Sequence, residues 1–223
     1  MTDHLRPGVL FDLDGTLVDT NYLHTLAWSR ALRDAGEWAP MNAIHRLVGM
    51  GADQFLPDLL GHDSPEASAA RPGHYNKMIG DAVAFPGAAK LLRAVHTQGL
   101  AVVLATSASD DDLTVLRKIL DADDVIDTHT SADDIDRSKP DPEVFVTAMR
   151  VANIDPRRAL AVGDSVWDIR AARAAGIGCV AVESGGFSQH ELSEAGALAV
   201  YQDVDELRRQ LNTSPVALLT RQA

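Results

Sequence analysis

Two aspartates one residue apart, Asp12 and Asp14, stand in the run Asp12-Leu13-Asp14-Gly15-Thr16, at the end of an apolar stretch that begins at Val9. Residues 9–13 read as a strand, and side chains alternate along a strand, so both carboxylates are expected on one side of it. Crowding like charges is costly. A divalent cation is the usual compensation, and hard oxygen ligands favour magnesium. The competing reading of so short a motif is a turn whose aspartates cap backbone amides. A second pair, Asp164 and Asp168, lies in Gly163-Asp164-Ser165-Val166-Trp167-Asp168, after the apolar residues 159–162. Four-residue spacing turns both toward one face of the helix that follows. N-capping by Asp164 or Ser165 competes with metal binding here and is compatible with it.

Two further segments can handle an anion. Thr106-Ser107-Ala108-Ser109 follows the apolar run 100–105. Hydroxyls and free amides between a strand and a helix suit a phosphate, although a capping hydroxyl alone would explain them. In Ser138-Lys139-Pro140-Asp141-Pro142 the prolines stiffen a loop and open the next helix. Lys139 can then present a fixed positive charge, where an ordinary loop lysine would be solvated. The four segments together supply two carboxylate pairs, hydroxyls and a lysine, which is the set that magnesium-assisted phosphoryl transfer requires.

Something must bring these segments together, and the spacing of the apolar residues says what. Short apolar runs at 100–105, 125–126, 159–162 and 178–182 alternate with stretches of helical periodicity, such as Leu113, Leu116, Ile119 and Leu120. Such alternation predicts an α/β fold with a doubly wound parallel sheet, strand 9–13 coming first. In an open sheet of this kind ligands bind beyond the carboxyl ends of the strands, where all four segments fall. Residues 20–82 break the rhythm. They contain helical stretches at 21–35, 40–48, 52–60 and 65–80, punctuated by glycine and proline, and no convincing strand. This insert reads as a small α-helical cap domain (20–82) on a core formed by 1–19 and 83–212, with 213–223 as a loose tail.

Composition narrows the partners. The chain has 223 residues and a net charge of −12, which disfavours nucleic acid and anionic lipid as partners. Hydrophobic residues make up 46%, and no apolar run approaches the roughly 20 residues of a membrane span. The single cysteine, Cys179, allows no intrachain disulfide and reads as core filler. With no signal-peptide pattern at residues 1–7, a cytoplasmic protein is expected, monomeric or homodimeric, acting on a small phosphorylated metabolite.

The order and spacing of Asp12-Leu13-Asp14-Gly15-Thr16, the Thr106–Ser107 pair, Lys139 and Gly163-Asp164-Ser165-Val166-Trp167-Asp168 resemble the haloacid dehalogenase superfamily in its phosphatase branch. The likeness runs from Val9 to about Leu211. It implies a Rossmann-like core and a cap placed as in phosphoglycolate phosphatase and β-phosphoglucomutase relatives. It further implies Asp12 as a nucleophile that becomes an aspartyl phosphate, and Asp14 as general acid and then general base. Magnesium would be held by Asp12, the Asp14 carbonyl and Asp164, with Asp168 in support. Lys139 would neutralise charge on Asp12 and the phosphate. The motif-two hydroxyl is Thr106 or Ser107; likeness to relatives reading Ser-Ala-Ser favours Ser107, with Thr106 and Ala108 beside it on the phosphate. The second aspartate, Asp14, argues against a dehalogenase, whose halide leaving group needs no proton, and nothing favours phosphonate hydrolysis.

The cap would exclude water and read the leaving group. Its candidate residues are His24, Trp28, Arg46, Gly49, Tyr75 and Lys77, Arg46 being the one that could hold a second anionic group. Trp28 suits a core as well as a contact. His24 and Lys77 occupy positions resembling those of a mutase, but Ala52 stands where the mutase's cap arginine is expected. The expected function is therefore magnesium-dependent hydrolysis of a sugar phosphate or phosphoglycolate-like monoester. A phosphosugar mutase is the alternative, and a non-catalytic phosphometabolite-binding protein is the alternative of another class.

Overall fold

A computed structural model describes residues 5–220. The first strand, β1 (Arg6–Phe11), leads through the short β2 (Val18–Asp19) into four helices: α1 (Asn21–Asp34), α2 (Met41–Leu47), α3 (Ala52–Leu60) and α4 (Pro65–Tyr75). The chain returns through β3 (Val83–Ala84), which pairs antiparallel with β2. Strands and helices then alternate: α5 (Ala88–Thr97), β4 (Ala101–Leu104), α6 (Asp110–Leu120), β5 (Thr128–His129), α7 (Glu143–Val151), β6 (Ile154–Gly163), α8 (Val166–Ala174) and β7 (Gly178–Val182). The chain closes with α9 (Gln189–Ala195), β8 (Ala199–Tyr201) and α10 (Val204–Arg209).

Six strands form one parallel sheet in the order β5-β4-β1-β6-β7-β8. The alternation of side chains explains why these strands read as continuous apolar runs. Val9 and Phe11 of β1 join Val102, Leu104, Leu160, Val162, Val180 and Val182 in one layer. Leu10 joins Ala101, Val103, Ala159, Ala161, Cys179 and Ala181 in the other. Both faces are covered by helices, so neither can be polar. The chain builds outward from β1 to β4 and β5, then reverses to β6, β7 and β8. The crevice at the carboxyl end of β1 is the topological switch point.

The helices α1–α4 have a separate small core of Trp28, Ala31, Leu32, Ala39, Ile44, Phe55, Leu56 and Ala67. Trp28 stacks on Phe55 with ring centroids 4.4 Å apart. Among the described residues no helix is long and apolar enough to cross a membrane.

Several elements differ from the sequence reading: the strand expected at 9–13 ends at Phe11, and β8 at Ala199–Tyr201 adds a strand that was not expected. The strand expected at 125–126 is at Thr128–His129 instead; Val125 and Ile126 are apolar because they pack on the core from a turn. The helix expected over 65–80 ends at Tyr75, and Ile79–Asp81 is a single 3-10 turn. The segment expected as a loose tail from 213 is ordered to 220. Pro215–Thr220 forms 3-10 turns that bury Val216, Ala217 and Leu219, with Val216 and Leu219 joining the first apolar layer. Residues 221–223 lie outside the described residues.

Candidate active site

Strand β1 stops at Phe11, and the turn after it, not strand alternation, aims the two aspartates. The Asp12 N–H donates to the Val162 carbonyl at 2.9 Å, tying it to the end of β6. Gly15 then turns with φ +77°, and a Cβ there would lie 2.4 Å from an Asp164 oxygen and 2.3 Å from the Asn21 amide. Only glycine permits that approach. Asp12 and Asp14 reach one cavity from this turn, but their carboxylates take different partners.

Asp12 is buried with Asp164 and Asp168, and one oxygen or more from each lies within 4.8 Å of the others. Lys139 is the sole ammonium among them. It donates to Asp12 Oδ1 and forms an ion pair with Asp168 Oδ1 at 2.7 Å. Asp168 divides its two oxygens: Oδ2 accepts from the Ser165 N–H at 3.2 Å and from the Ser165 hydroxyl, closing a capping box at the start of α8. Capping and site duty thus coexist in one side chain. The Thr16 hydroxyl sits 3.0 Å from both Asp12 Oδ2 and Asp164 Oδ1. A hydroxyl has one proton, so it can satisfy only one of those oxygens at a time. Asn21 donates to Asp164 Oδ2 at 2.9 Å.

Burial pushes the Asp12 carboxyl well above the usual carboxylate range; Lys139 opposes this, and the neighbouring Asp168 and Asp164 add to it. Burial, with the charge of Asp168, pushes Asp164 up to about 7. Burial pulls the Lys139 ammonium down, but Asp12 and Asp168 more than reverse it, so Lys139 stays charged. Three carboxylates against one ammonium leave negative charge uncompensated, in an all-oxygen cluster at a strand edge. The residues therefore fit a hard divalent cation such as magnesium. The Asp14 side chain lies outside this cluster.

A test follows from these shifts. The folded chain holds a proton on Asp164 that the unfolded chain has released, over the window from the ordinary 3.8 to about 7. That contribution is present at the acid end and is lost as pH rises through the window. Asp14, held below its ordinary value, acts only beneath it. Asp12, raised in the same direction, adds to this, whereas the lowered His24 and His45 pKa values act oppositely only below their ordinary 6.5, so metal-free protein is expected to lose thermal stability from pH 6.5 to pH 8. Magnesium is expected to raise the melting temperature more at pH 8 than at pH 5, because metal and proton compete for the same oxygens. Equal magnesium shifts at both pH values, by calorimetry, would contradict the competition.

Asp14 faces α1 and α4. Its Oδ1 accepts from the Thr20 hydroxyl at 2.7 Å and from His24 Nε2 at 3.0 Å. Arg71 Nη2 donates to His24 Nδ1. With Nδ1 accepting, His24 is the neutral tautomer that carries its proton on Nε2. Burial lowers the His24 pKa, and this outweighs the opposite pull of Asp14. Burial raises the Asp14 carboxyl, but His24, Thr20 and nearby Arg71 outweigh it and hold it below its ordinary value. Tyr75 stacks on His24 with centroids 4.2 Å apart.

These groups line one cavity of about 410 Å³ between the sheet edge and α1–α4. Asp12, Asp14, His24, Gly49, Thr106, Ser107, Ala108, Lys139, Asp164 and Asp168 all reach it. The Thr106 hydroxyl is buried and accepts the Ala108 N–H at 3.0 Å, so that amide is already engaged. Ser107 is exposed toward the cavity. Two expected substrate contacts lie elsewhere. Arg46 pairs with Glu191 and sits 4.1 Å over the Phe187 ring, joining α2 to the core instead of facing the cavity. Lys77 is exposed and does not line the cavity. The basic group of α1–α4 that does is Arg71, which is not among the residues expected from the sequence. Its four-residue spacing from Tyr75 on α4 was the available signal, since both then share a face. Thr16 and Asn21 were also passed over; both lie within a few residues of Asp14 on the chain.

Comparison with known proteins agrees with this geometry. The family described as haloacid dehalogenase-like hydrolase matches residues 7–176. Validoxylamine A 7'-phosphate phosphatase of Streptomyces hygroscopicus subsp. limoneus is 31% identical over 209 residues, 89% of this chain and 94% of that protein. A phosphoglycolate phosphatase of Rhodospirillum rubrum is 32% identical over 216 residues, 90% of this chain and 88% of that one. The crystal structure of a hydrolase from Pseudomonas syringae superposes with a TM-score of 0.87 at 33% identity, covering 93% of this chain and 99% of that one.

Proposed function

Because the chain belongs to the haloacid dehalogenase-like hydrolase family, we propose that it is a magnesium-dependent phosphatase acting on a small phosphate monoester through a phosphorylated Asp12. One observation supports this above the others. Asp12, Asp164 and Asp168 converge at the sheet's switch point, with Lys139 paired to Asp12 and Asp168, while Asp14 enters the same cavity facing α1 and α4.

The roles follow from placement. An Asp12 oxygen attacks phosphorus, and the ester oxygen leaves on the opposite side. Asp14 supplies the proton that the leaving alkoxide needs, then takes one from the water that attacks the phosphoaspartate, so each turnover restores it. In the free protein Asp14 is a carboxylate. It gains its proton with substrate in place, when phosphate oxygens bring negative charge beside it. Lys139 holds Asp12 in position and offsets charge on the phosphoryl oxygens. The Ser107 hydroxyl, with Thr106 beside it, binds a phosphate oxygen. Asp12, Asp164 and the Asp14 carbonyl would hold magnesium, with Asp168 in support; bound there, it would neutralise the nucleophile and the phosphoryl group. Residues 20–82 serve as the cap and the rest of the described chain as the core. A β-phosphoglucomutase-like reading draws on His24 and Lys77, and only His24 reaches the cavity.

Phosphate release from a panel of phosphorylated metabolites, with magnesium and with chelator, tests the reading. Magnesium-dependent release is expected. Isomerised sugar phosphate without net release would replace it with the mutase, and binding without turnover would replace it with a sensor.

A further inference from the structure

We infer that Asn21, the first residue of α1, is a positioning residue for the metal site, an inference that rests on the metal-dependent phosphatase reading and deepens it. Its amide holds one oxygen of Asp164, so that the other is presented toward Asp12 for a divalent cation. The Asn21 amide nitrogen donates to Asp164 Oδ2 at 2.9 Å, and the residue is only 6% exposed. An ionised carboxylate only accepts, so the nitrogen of the amide, and not its oxygen, faces Asp164.

Asp164 Oδ2 is enclosed as well as bonded. A Cβ at Gly185 would lie 2.1 Å from it, and one at Gly15 would lie 2.4 Å from it and 2.3 Å from the Asn21 amide nitrogen. Glycine backbone thus crowds this oxygen from two sides, and Asn21 bonds it. Oδ1 has different surroundings. It lies 3.0 Å from the Thr16 hydroxyl, which is equally 3.0 Å from Asp12 Oδ2. Thr16 can turn its single proton to Asp12, which leaves Oδ1 available on the side where Asp12 stands.

The start of α1 shows that these polar residues do not serve the helix. The helices α6, α8, α9 and α10 each begin with a serine or aspartate whose side chain accepts a backbone N–H of the first turn. In α1 that bond is missing, although its N-cap, Thr20, is of a type that makes it. Thr20 gives its hydroxyl to Asp14 instead, and Asn21 gives its amide to Asp164. The Thr25 hydroxyl, one turn on, donates to the Asn21 carbonyl at 2.8 Å and fixes the turn from within the helix. Side chains that orient a metal ligand in this way carry about 10–100-fold in metal affinity.

Calorimetric titration of magnesium into metal-free protein, without substrate, tests the role in the wild type, Asn21→Leu, Asn21→Ala and Thr25→Val. Leucine keeps the size of the side chain and removes the donor. Thr25→Val removes the bond to the Asn21 carbonyl and leaves the amide in place. Both Asn21 variants are expected to bind magnesium about 10–100-fold more weakly, and Thr25→Val to bind it as the wild type does. With p-nitrophenyl phosphate, the kcat of the Asn21 variants is expected to return to the wild-type value at saturating magnesium. Cooperative melting in chelator identifies the folded variants, and Asn21→Ala decides where leucine does not fit. Magnesium binding by the wild type with unchanged affinity in the Asn21 variants overturns the inference alone; a raised KM in those variants would then make Asn21 a substrate contact. An equal loss in Thr25→Val also overturns it, because the seating of α1 and not the amide would then set the affinity. No magnesium binding and no turnover by the wild type overturns the phosphatase reading, and the inference with it.

Discussion

Replacing Asp12 by asparagine is expected to reduce phosphate release by about four orders of magnitude or more, the scale seen when an attacking group is removed. Asparagine keeps the shape of the side chain but offers no carboxylate to attack phosphorus. Folding should survive. The substitution removes one of three crowded carboxylates, and Lys139 keeps Asp168 as a partner at 2.7 Å. The loss should therefore appear in kcat while the melting temperature of metal-free protein is unchanged or raised. Magnesium-dependent turnover near the wild-type level in a pure sample would remove Asp12 from the nucleophile role.

The second large effect concerns stability. Lys139→Met is expected to destabilise metal-free protein by about 3–5 kcal/mol, the cost of leaving buried charge without its partner. Asp12 and Asp168 would both lose the ammonium that now bridges them. Methionine roughly preserves the volume, so the loss reports charge more than packing. Magnesium should restore part of the difference, because a cation among the same carboxylates replaces some of the missing charge. Urea denaturation in chelator and in magnesium measures both terms. Wild-type stability in chelator would show that Lys139 does not compensate this cluster, and that the aspartates are protonated and neutral instead.

The sheet was legible because a strand buried on both faces can be little else. Residues 101–104 and 178–182 are apolar without interruption, and each alternate side chain enters one of two apolar layers. The signal failed where an apolar pair packs from a turn, as Val125 and Ile126 do. It failed again at residues 215–220, where a short apolar run after a polar break looked like a tail yet covers the sheet. Neither case carries a periodicity that local sequence could display.

Within the site, the sequence by itself determined the chemistry-bearing groups at the strand ends. Asp12, Asp14, Thr106, Ser107, Lys139, Asp164 and Asp168 sit at the junctions of apolar runs and helices, and a parallel sheet brings such junctions to one edge whatever the loops do. Tertiary structure alone decided which side chains of residues 20–82 face that edge. Arg46, Arg71 and Lys77 are equivalent as isolated cations on helical stretches. A helix buries one stripe, and its neighbours choose the stripe: α2 turns Arg46 onto Glu191 and Phe187, while α4, packed along α1, turns Arg71 onto His24 and into the cavity. Contacts between residues 47 positions apart, such as Arg71 with His24, depend on the packing of two helices, and no local spacing encodes them.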